Sequence, residues 1–176
     1  NLMPDLGADE FDVSSANRLA GVYHVGAGGG TDYKTITEAI ADLNCRGVKA
    51  PVTFLLDDAN YSETKGAGLN EVYPMVINQI AGADATNTIT FKPNAGNTAC
   101  VVTGNSAGSL LIFNGADYVT FDGAHTVSGT TKNLAIRNTS TGGLGEMLSA
   151  PTVVFWNDAQ NNGLKNTILS ARNAYT

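Results

Sequence analysis

Two adjacent carboxylates, Asp57-Asp58, close the apolar run Thr53-Phe54-Leu55-Leu56. A pair of carboxylates hydrolyses a glycosidic bond when both converge on that bond. Adjacent strand residues point to opposite faces, so this pair acts together only from a turn. The plainer reading is a solvated turn after a strand. Trp156, the single tryptophan, is flanked by Phe155, Asn157 and Asp158. If the Val154 and Trp156 side of the run faces outward, the indole beside Asn157 and Asp158 makes a platform for stacking a sugar ring. If Val153 and Phe155 face outward, Trp156 is core, and the average burial of tryptophan favours that reading. His24 alternates with Tyr23 and Val25 and reads as a half-exposed strand residue, while His125 heads a loop. Neither has a Ser or Cys arrangement beside it that makes a triad. The run Gly26-Ala27-Gly28-Gly29-Gly30 lacks the Lys-Ser/Thr of a phosphate loop and reads as a flexible turn. Cys45 and Cys100 form a disulfide if the chain is exported, or stand as two separate buried thiols. Neither their spacing nor a His neighbour makes a metal site.

Composition narrows the partners. A chain of 176 residues, 43% of them hydrophobic, holds one domain with a core. Charged residues are only 15%, below the usual quarter, and Gly reaches 20 residues. The polar surface falls instead to Thr, Ser, Asn and Gly, which suits an extracellular all-β protein with many tight turns. It does not suit a helical cytosolic enzyme. A net charge of −6 argues against nucleic acid and against an anionic membrane surface. It is compatible with neutral glycans or with calcium. No apolar run is long enough to span a bilayer. The chain opens on Asn1-Leu2-Met3-Pro4, with neither an initiator Met nor a signal segment, and reads as an internal piece of something longer.

The elements that must carry these residues are short and repeated. β-branched runs ending on Asn, Asp or Gly recur as Thr53-Phe54-Leu55-Leu56-Asp57, Thr88-Ile89-Thr90-Phe91-Lys92, Leu110-Leu111-Ile112-Phe113-Asn114, Tyr118-Val119-Thr120-Phe121-Asp122, Leu134-Ala135-Ile136-Arg137-Asn138, Val153-Val154-Phe155-Trp156-Asn157 and Asn166-Thr167-Ile168-Leu169-Ser170. Alternation gives each run one apolar face, and such units bury that face only by stacking. The recurring Asn114, Asn138, Asn157 and Asn166 fit turn positions whose amides hydrogen-bond along the stack. One helix is predicted, from Thr35 to about Asn44. Thr35 and Glu38 have capping-box spacing, Ile36, Ala39, Ile40 and Leu43 form one apolar stripe, and Gly47 suits the terminator. Its predicted task is to cover the open apolar end of the stack. Looser stretches at Asn60 to Tyr73, His125 to Lys132 and Thr139 to Pro151 read as insertions, where stacked repeats place function. Residues 1–20 read as the tail of a preceding domain plus a linker, and 21–176 as stacked coils that continue further.

Asp32-Tyr33-Lys34-Thr35-Ile36-Thr37-Glu38-Ala39-Ile40, Gly47-Val48 and Pro51-Val52-Thr53-Phe54 resemble the N-terminal cap and first coil of right-handed parallel β-helix proteins of the pectin-lyase-like class. Gly115-Ala116-Asp117-Tyr118-Val119-Thr120-Phe121-Asp122-Gly123 and Asn166-Thr167-Ile168-Leu169-Ser170 resemble later rungs. Pro4-Asp5-Leu6-Gly7-Ala8-Asp9-Glu10-Phe11 is similar to the closing segment of β-helix domains in large secreted surface proteins of Bacteroidetes, exported by the type IX system. The resemblance implies a right-handed parallel β-helix, or solenoid, with an N-terminal capping α-helix. It also implies a secreted or cell-surface setting beside neighbouring domains of the same chain. This architecture serves lyases, hydrolases, adhesins and inert spacers alike. Family hydrolases combine clustered aspartates with Gly-His-Gly and Arg-x-Lys elements, and neither element is present here. Family lyases hold calcium with carboxylates beside a basic residue; Asp122, Asp158, Arg137, Lys165 and Arg172 are the residues of this chain that would share one outer face. Calcium wants six to eight oxygens, and Asp122-Gly123 and Asn157-Asp158 are also good turn formers. The leading expectation is a non-catalytic module that contacts a polysaccharide or cell-surface glycan or acts in adhesion. Trp156, Asp158, Asp122 and Arg137 are its candidate ligand residues, and calcium is a possible cofactor. A carbohydrate-active lyase or hydrolase is the alternative, and a structural spacer the third.

Overall fold

Phe54, Phe91 and Phe121 pair in register across three neighbouring strands. In the computed structural model, which describes residues 17–141 and 150–171, their rings stack at centroid distances of 4.5 and 4.7 Å. Each ring is buried. Burial of one such ring is worth about 2 kcal/mol, and stacking adds up to about 1 kcal/mol more.

The described residues are β-rich, with every strand-to-strand pairing among them parallel and one short helix. The strands are β1 (Leu19–Val25), β2 (Val48–Leu56), β3 (Asn60–Ser62), β4 (Met75–Asn78), β5 (Ile89–Pro93) and β6 (Cys100–Gly104). They continue as β7 (Leu111–Asn114), β8 (Val119–Asp122), β9 (Leu134–Asn138), β10 (Val153–Trp156), β11 (Gly163–Lys165) and β12 (Thr167–Ala171). Helix α1 spans Ile36–Arg46. Three sheets result: sheet A in the order β1-β2-β5-β8-β11, sheet B in the order β12-β9-β6-β3, and sheet C in the order β10-β7-β4. From β2 onward the chain visits A, B and C in strict rotation, so each circuit lays one new strand on its predecessor in every sheet.

In-register pairing turns the alternation of each run into columns of like residues. Inward columns are Tyr23, Phe54, Phe91, Phe121 and Leu164 in sheet A, Ile77, Phe113 and Phe155 in sheet C, and Tyr61, Val102, Ile136 and Leu169 in sheet B. Apart from Phe155 and Leu169, which are exposed, these columns belong to one continuous core. Polar turns between the runs let the chain change direction, and asparagine amides satisfy their carbonyls. Asn97 Nδ2, for example, donates to both Leu56 O and Asp58 O at 2.9 Å.

Helix α1 forms for the reasons its sequence contains. Thr35 is extended, and its hydroxyl accepts from the Glu38 N–H at 3.0 Å. Glu38 reaches back one residue further than a capping box does, accepting from the Lys34 N–H at 2.7 Å. Ile36, Ala39, Ile40 and Leu43 are buried. Gly47 ends the helix at φ 65°, and a Cβ there would lie 2.3 Å from Ala81 O, so no other residue fits. A contact without a local sequence signal fixes the helix start. The Glu71 carboxylate, only 2% exposed, accepts from the Ile36 and Thr37 N–H groups, both at 2.8 Å, and from the Thr37 hydroxyl at 2.6 Å. Burial raises the Glu71 pKa, and these donors pull it only part of the way back. At the other end of α1, Asn44 binds the outer edge of β4, donating to Val76 O at 2.8 Å and accepting from Asn78 N at 2.9 Å. Its amide thus stands in for a missing neighbouring strand of sheet C.

Several expectations need correction. The stretch Asn60 to Tyr73, expected as an insertion, begins with strand β3, which supplies the fully buried Tyr61. Strands β4, β6 and β11 were not among the expected runs. β1 starts at Leu19, which is buried and pairs with Val48, so the last residues of the expected linker already belong to the sheet. Residues 1–16 of that expected tail, with part of the stretch Thr139 to Pro151 and Arg172, lie outside the described residues. Among the described residues, no helix is long and apolar enough to cross a membrane.

Candidate functional site

The outer face of sheet A mixes polar residues with Val22 and Leu55, and its charged groups are mutually engaged. His24, Leu55, Lys92, Asp122 and Lys165 follow one another across its strands. His24 Nδ1 lies 2.9 and 3.1 Å from the two Asp57 carboxylate oxygens, and Asn94 Nδ2 donates to the same carboxylate at 2.7 Å. The expected solvated pair Asp57-Asp58 is therefore a knot. Asp57 joins three successive strands' ends, while Asp58 accepts from the Ala27 N–H at 2.8 Å and from Lys65 Nζ. The two carboxylates are directed to different partners, so they do not converge on a common point. In the glycine run the Gly26 N–H donates to Tyr33 O at 2.9 Å and the Ala27 N–H to Asp58, while the carbonyls of Gly26 and Gly28 accept from Thr31 Oγ1 at 2.7 Å and from Lys34 Nζ at 2.9 Å.

Asp122 sits at the same face, 3.5 Å from Lys165 Nζ. Burial opposes its ionisation, but the Ala124 N–H, the Asn166 amide and the Lys165 and Lys92 charges outweigh that and hold its carboxyl below the usual range. Its Oδ1 is thus committed to the turn, while Oδ2 faces Lys165. Arg137 stands on the exposed side of β9 in sheet B, and Asp158 in an exposed turn after β10 in sheet C, at φ 61°. The candidates Asp122, Arg137 and Asp158 therefore fall on three different sheets and do not line one face. Among the described residues, no three His, Cys, Asp or Glu side chains come together to hold a metal ion. Cys45 is exposed on α1 and Cys100 is buried in β6, and both are free thiols. Burial pushes the Cys100 thiol up to about 12.

Sheet C carries the different outer face. Phe155 points inward and stacks on Phe113 at 4.6 Å, which turns Val154 and Trp156 outward. Trp156 is 63% exposed, so the core reading favoured by average tryptophan burial is overturned. The reason is register: Phe155 continues the Ile77–Phe113 column, and period-2 alternation leaves Trp156 no inward place. Beside the indole lies a groove of about 490 Å³, lined by Pro74, Ala107, Ile112, Pro151, Val154 and Trp156. Ser106 and Ser109 supply its polar side chains.

The walls of this groove are held from behind. Asn138, 2% exposed, donates to Ser106 O at 2.9 Å, Pro151 O at 3.0 Å and Gly108 O at 3.3 Å, and accepts from the Ser106 N–H at 3.2 Å. One buried amide thereby fixes both the 106–109 turn and Pro151. On the opposite wall, the Tyr73 ring packs where a Cβ on Gly104 would lie 2.3 Å away, and its hydroxyl donates to Thr103 O at 3.0 Å. That placement sets Pro74, which follows Tyr73 through a cis peptide bond. On the same outer face, at the C-terminal ends of the sheet C strands, runs an amide ladder. Asn114 Nδ2 donates to Asn78 Oδ1 at 2.8 Å, and Asn157 Nδ2 donates to Asn114 Oδ1. Trp156 is in register with Asn114, so indole and ladder share one edge.

The sequence singled out Trp156 and the asparagines but missed the groove itself. Pro74, Pro151 and the 106–109 turn are far apart in the chain and carry no shared pattern. Asn138 was the available signal, as a recurring turn asparagine, although its use as a buried clamp depends on chain segments that meet only in the fold. Comparison with known proteins finds no matching protein family, no matching curated protein and no matching solved structure.

Proposed function

We propose that this chain is a non-catalytic module of a secreted or cell-surface protein that contacts polysaccharide or a cell-surface glycan through the outer face of sheet C. The observation that carries the reading is the outward Trp156, 63% exposed, at the edge of a preformed apolar groove. An aromatic platform beside an apolar cleft and amide groups suits a sugar, which has apolar ring faces and a polar rim. The architecture belongs to the same proposal: a right-handed parallel β-helix of pectin-lyase-like type, with α1 as its N-terminal cap. The rotation of strands through three parallel sheets supports it, as do the bonds of Asn44 to the β4 edge. Neighbouring domains of the same chain and export by the type IX system rest on the resemblance of the N-terminal segment. The engaged state of Asp57, Asp58 and Asp122 supports the ranking of a binding module above a lyase or hydrolase.

Native electrophoresis through gels cast with single polysaccharides, neutral and uronic, with and without calcium, tests the reading. Retardation with the embedded polymer left intact is the expected result, and Trp156→Ala abolishes it. A cleared zone makes the chain an enzyme and overturns the proposal. Unretarded migration on every polymer leaves the spacer.

A further inference from the structure

We infer that the sheet C groove takes a neutral chain of pyranose rings with equatorial substituents, lying across β4, β7 and β10, and excludes uronates and sulfated sugars. This rests on the reading of the groove as a glycan site and adds the ligand's class to it.

The first argument is charge. Among the described residues no ionisable side chain lines the groove, and the lining side chains are apolar apart from two serines. A carboxylate or sulfate placed there would shed water with no cation to receive it, which is unfavourable. The cations that would help stand elsewhere: Lys92 and Lys165 on the outer face of sheet A, where Lys165 pairs with Asp122, and Arg137 on sheet B. The chain's net charge of −6 opposes an anionic polymer further.

Shape is the second argument. A pyranose with equatorial substituents has flat faces of axial C–H groups and carries its hydroxyls around the rim. The apolar faces match Ile112, Val154 and the Trp156 indole. The rim hydroxyls match the neighbouring ladder Asn78, Asn114 and Asn157. Each ladder bond uses a single amide hydrogen or oxygen, so every amide keeps capacity for a hydroxyl. Axial hydroxyls would lift the ring off the indole.

Direction is the third. Parallel strands lie about 4.8 Å apart, so β4 to β10 spans about 10 Å along the stack, enough for a short oligosaccharide. Trp156 marks the β10 end, and Pro74 flanks the start of β4.

Isothermal titration with cellohexaose, a neutral equatorial chain, and with oligogalacturonate separates the outcomes. We expect cellohexaose to bind with an affinity unchanged by 1 M NaCl, at least tenfold weakened by Trp156→Ala and several-fold by Asn114→Ala. Oligogalacturonate is expected to give no heat. Lys92→Ala, on sheet A, is the control that leaves binding unchanged. Trp156 is exposed, so its variant keeps the wild-type circular dichroism spectrum. Salt-sensitive binding of oligogalacturonate that Trp156→Ala removes would sink the neutral-ligand inference and leave the glycan site standing. Failure of both sugars to bind, or binding indifferent to Trp156→Ala, would sink the site itself.

Discussion

Sheets A and C are built from the same repeating unit and differ in what their outer faces leave undone. On sheet A the polar His24, Asp57, Asn94, Asp122 and Lys165 all find partners within the chain, and the apolar Val22 and Leu55 are interspersed among threonines and Lys92. On sheet C the outward Ile112, Val154 and Trp156 find none and border a groove instead. The difference teaches that polar residues drawn from a chemical vocabulary are weak indicators of a site when the fold already satisfies them. An exposed apolar row on a rigid sheet is the stronger indicator, because burial of that row awaits something outside the chain.

The interiors differ too, and the largest effect expected here tests that. Phe91 is sandwiched between Phe54 and Phe121, whereas Phe155 has Phe113 on one side and is 49% exposed. Phe91→Ala should lower unfolding free energy by about 4 kcal/mol, and Phe155→Ala by roughly 1–2 kcal/mol, since half of its surface is already wet. Chemical denaturation measures both; equal losses would erase the contrast between the two columns.

Next in size is Asp57→Ala, which strands the His24 ring and the Asn94 amide. We expect a loss of about 1–3 kcal/mol in stability with sugar binding unchanged, the mirror image of Trp156→Ala. Loss of binding with stability intact would transfer the site to sheet A.

A smaller, pH-dependent effect separates the faces again. Asp122 is held below the ordinary carboxyl value when folded, so its contribution is present above about pH 3.9, the unfolded value, and is lost as pH falls through the lower folded value. The stability gap between the protein and Asp122→Asn should therefore close on acidification, while binding to the uncharged groove stays flat over the same range. A binding curve that follows the Asp122 titration would break the separation.

The smallest effect touches neither face. Iodoacetamide on the native protein should label the exposed Cys45 once and leave Cys100, whose thiol burial holds un-ionised, until unfolding. Two native labels, or none, would contradict the placement of these residues.

Legibility followed the range of the physics involved. Thr35, Glu38 and Gly47 mark α1 because capping and helix termination act within a few residues. The runs ending in Asn114, Asp122 and Asn138 announce strands because alternation is local. Three-residue strands such as β3 and β11 carry no readable period and exist because a neighbouring strand pairs with them in register. Glu71 lies 35 residues from Ile36, whose N–H it accepts, and no local rule connects them.

The amino-acid sequence alone therefore determined the repeated apolar runs, their need to stack, the helix α1 with its caps, and the scarcity of charge. Tertiary structure alone decided which side of β10 faces outward, because the Phe113–Phe155 stack competes with the burial of Trp156 and wins by register. It likewise decided that Asp57 and Asp122 serve turns, and that Pro74, Asn138 and Pro151, drawn from separate circuits, meet around one groove. Local sequence sets what each run is able to bury; only the pairing of distant runs determines which residue is left over at the surface.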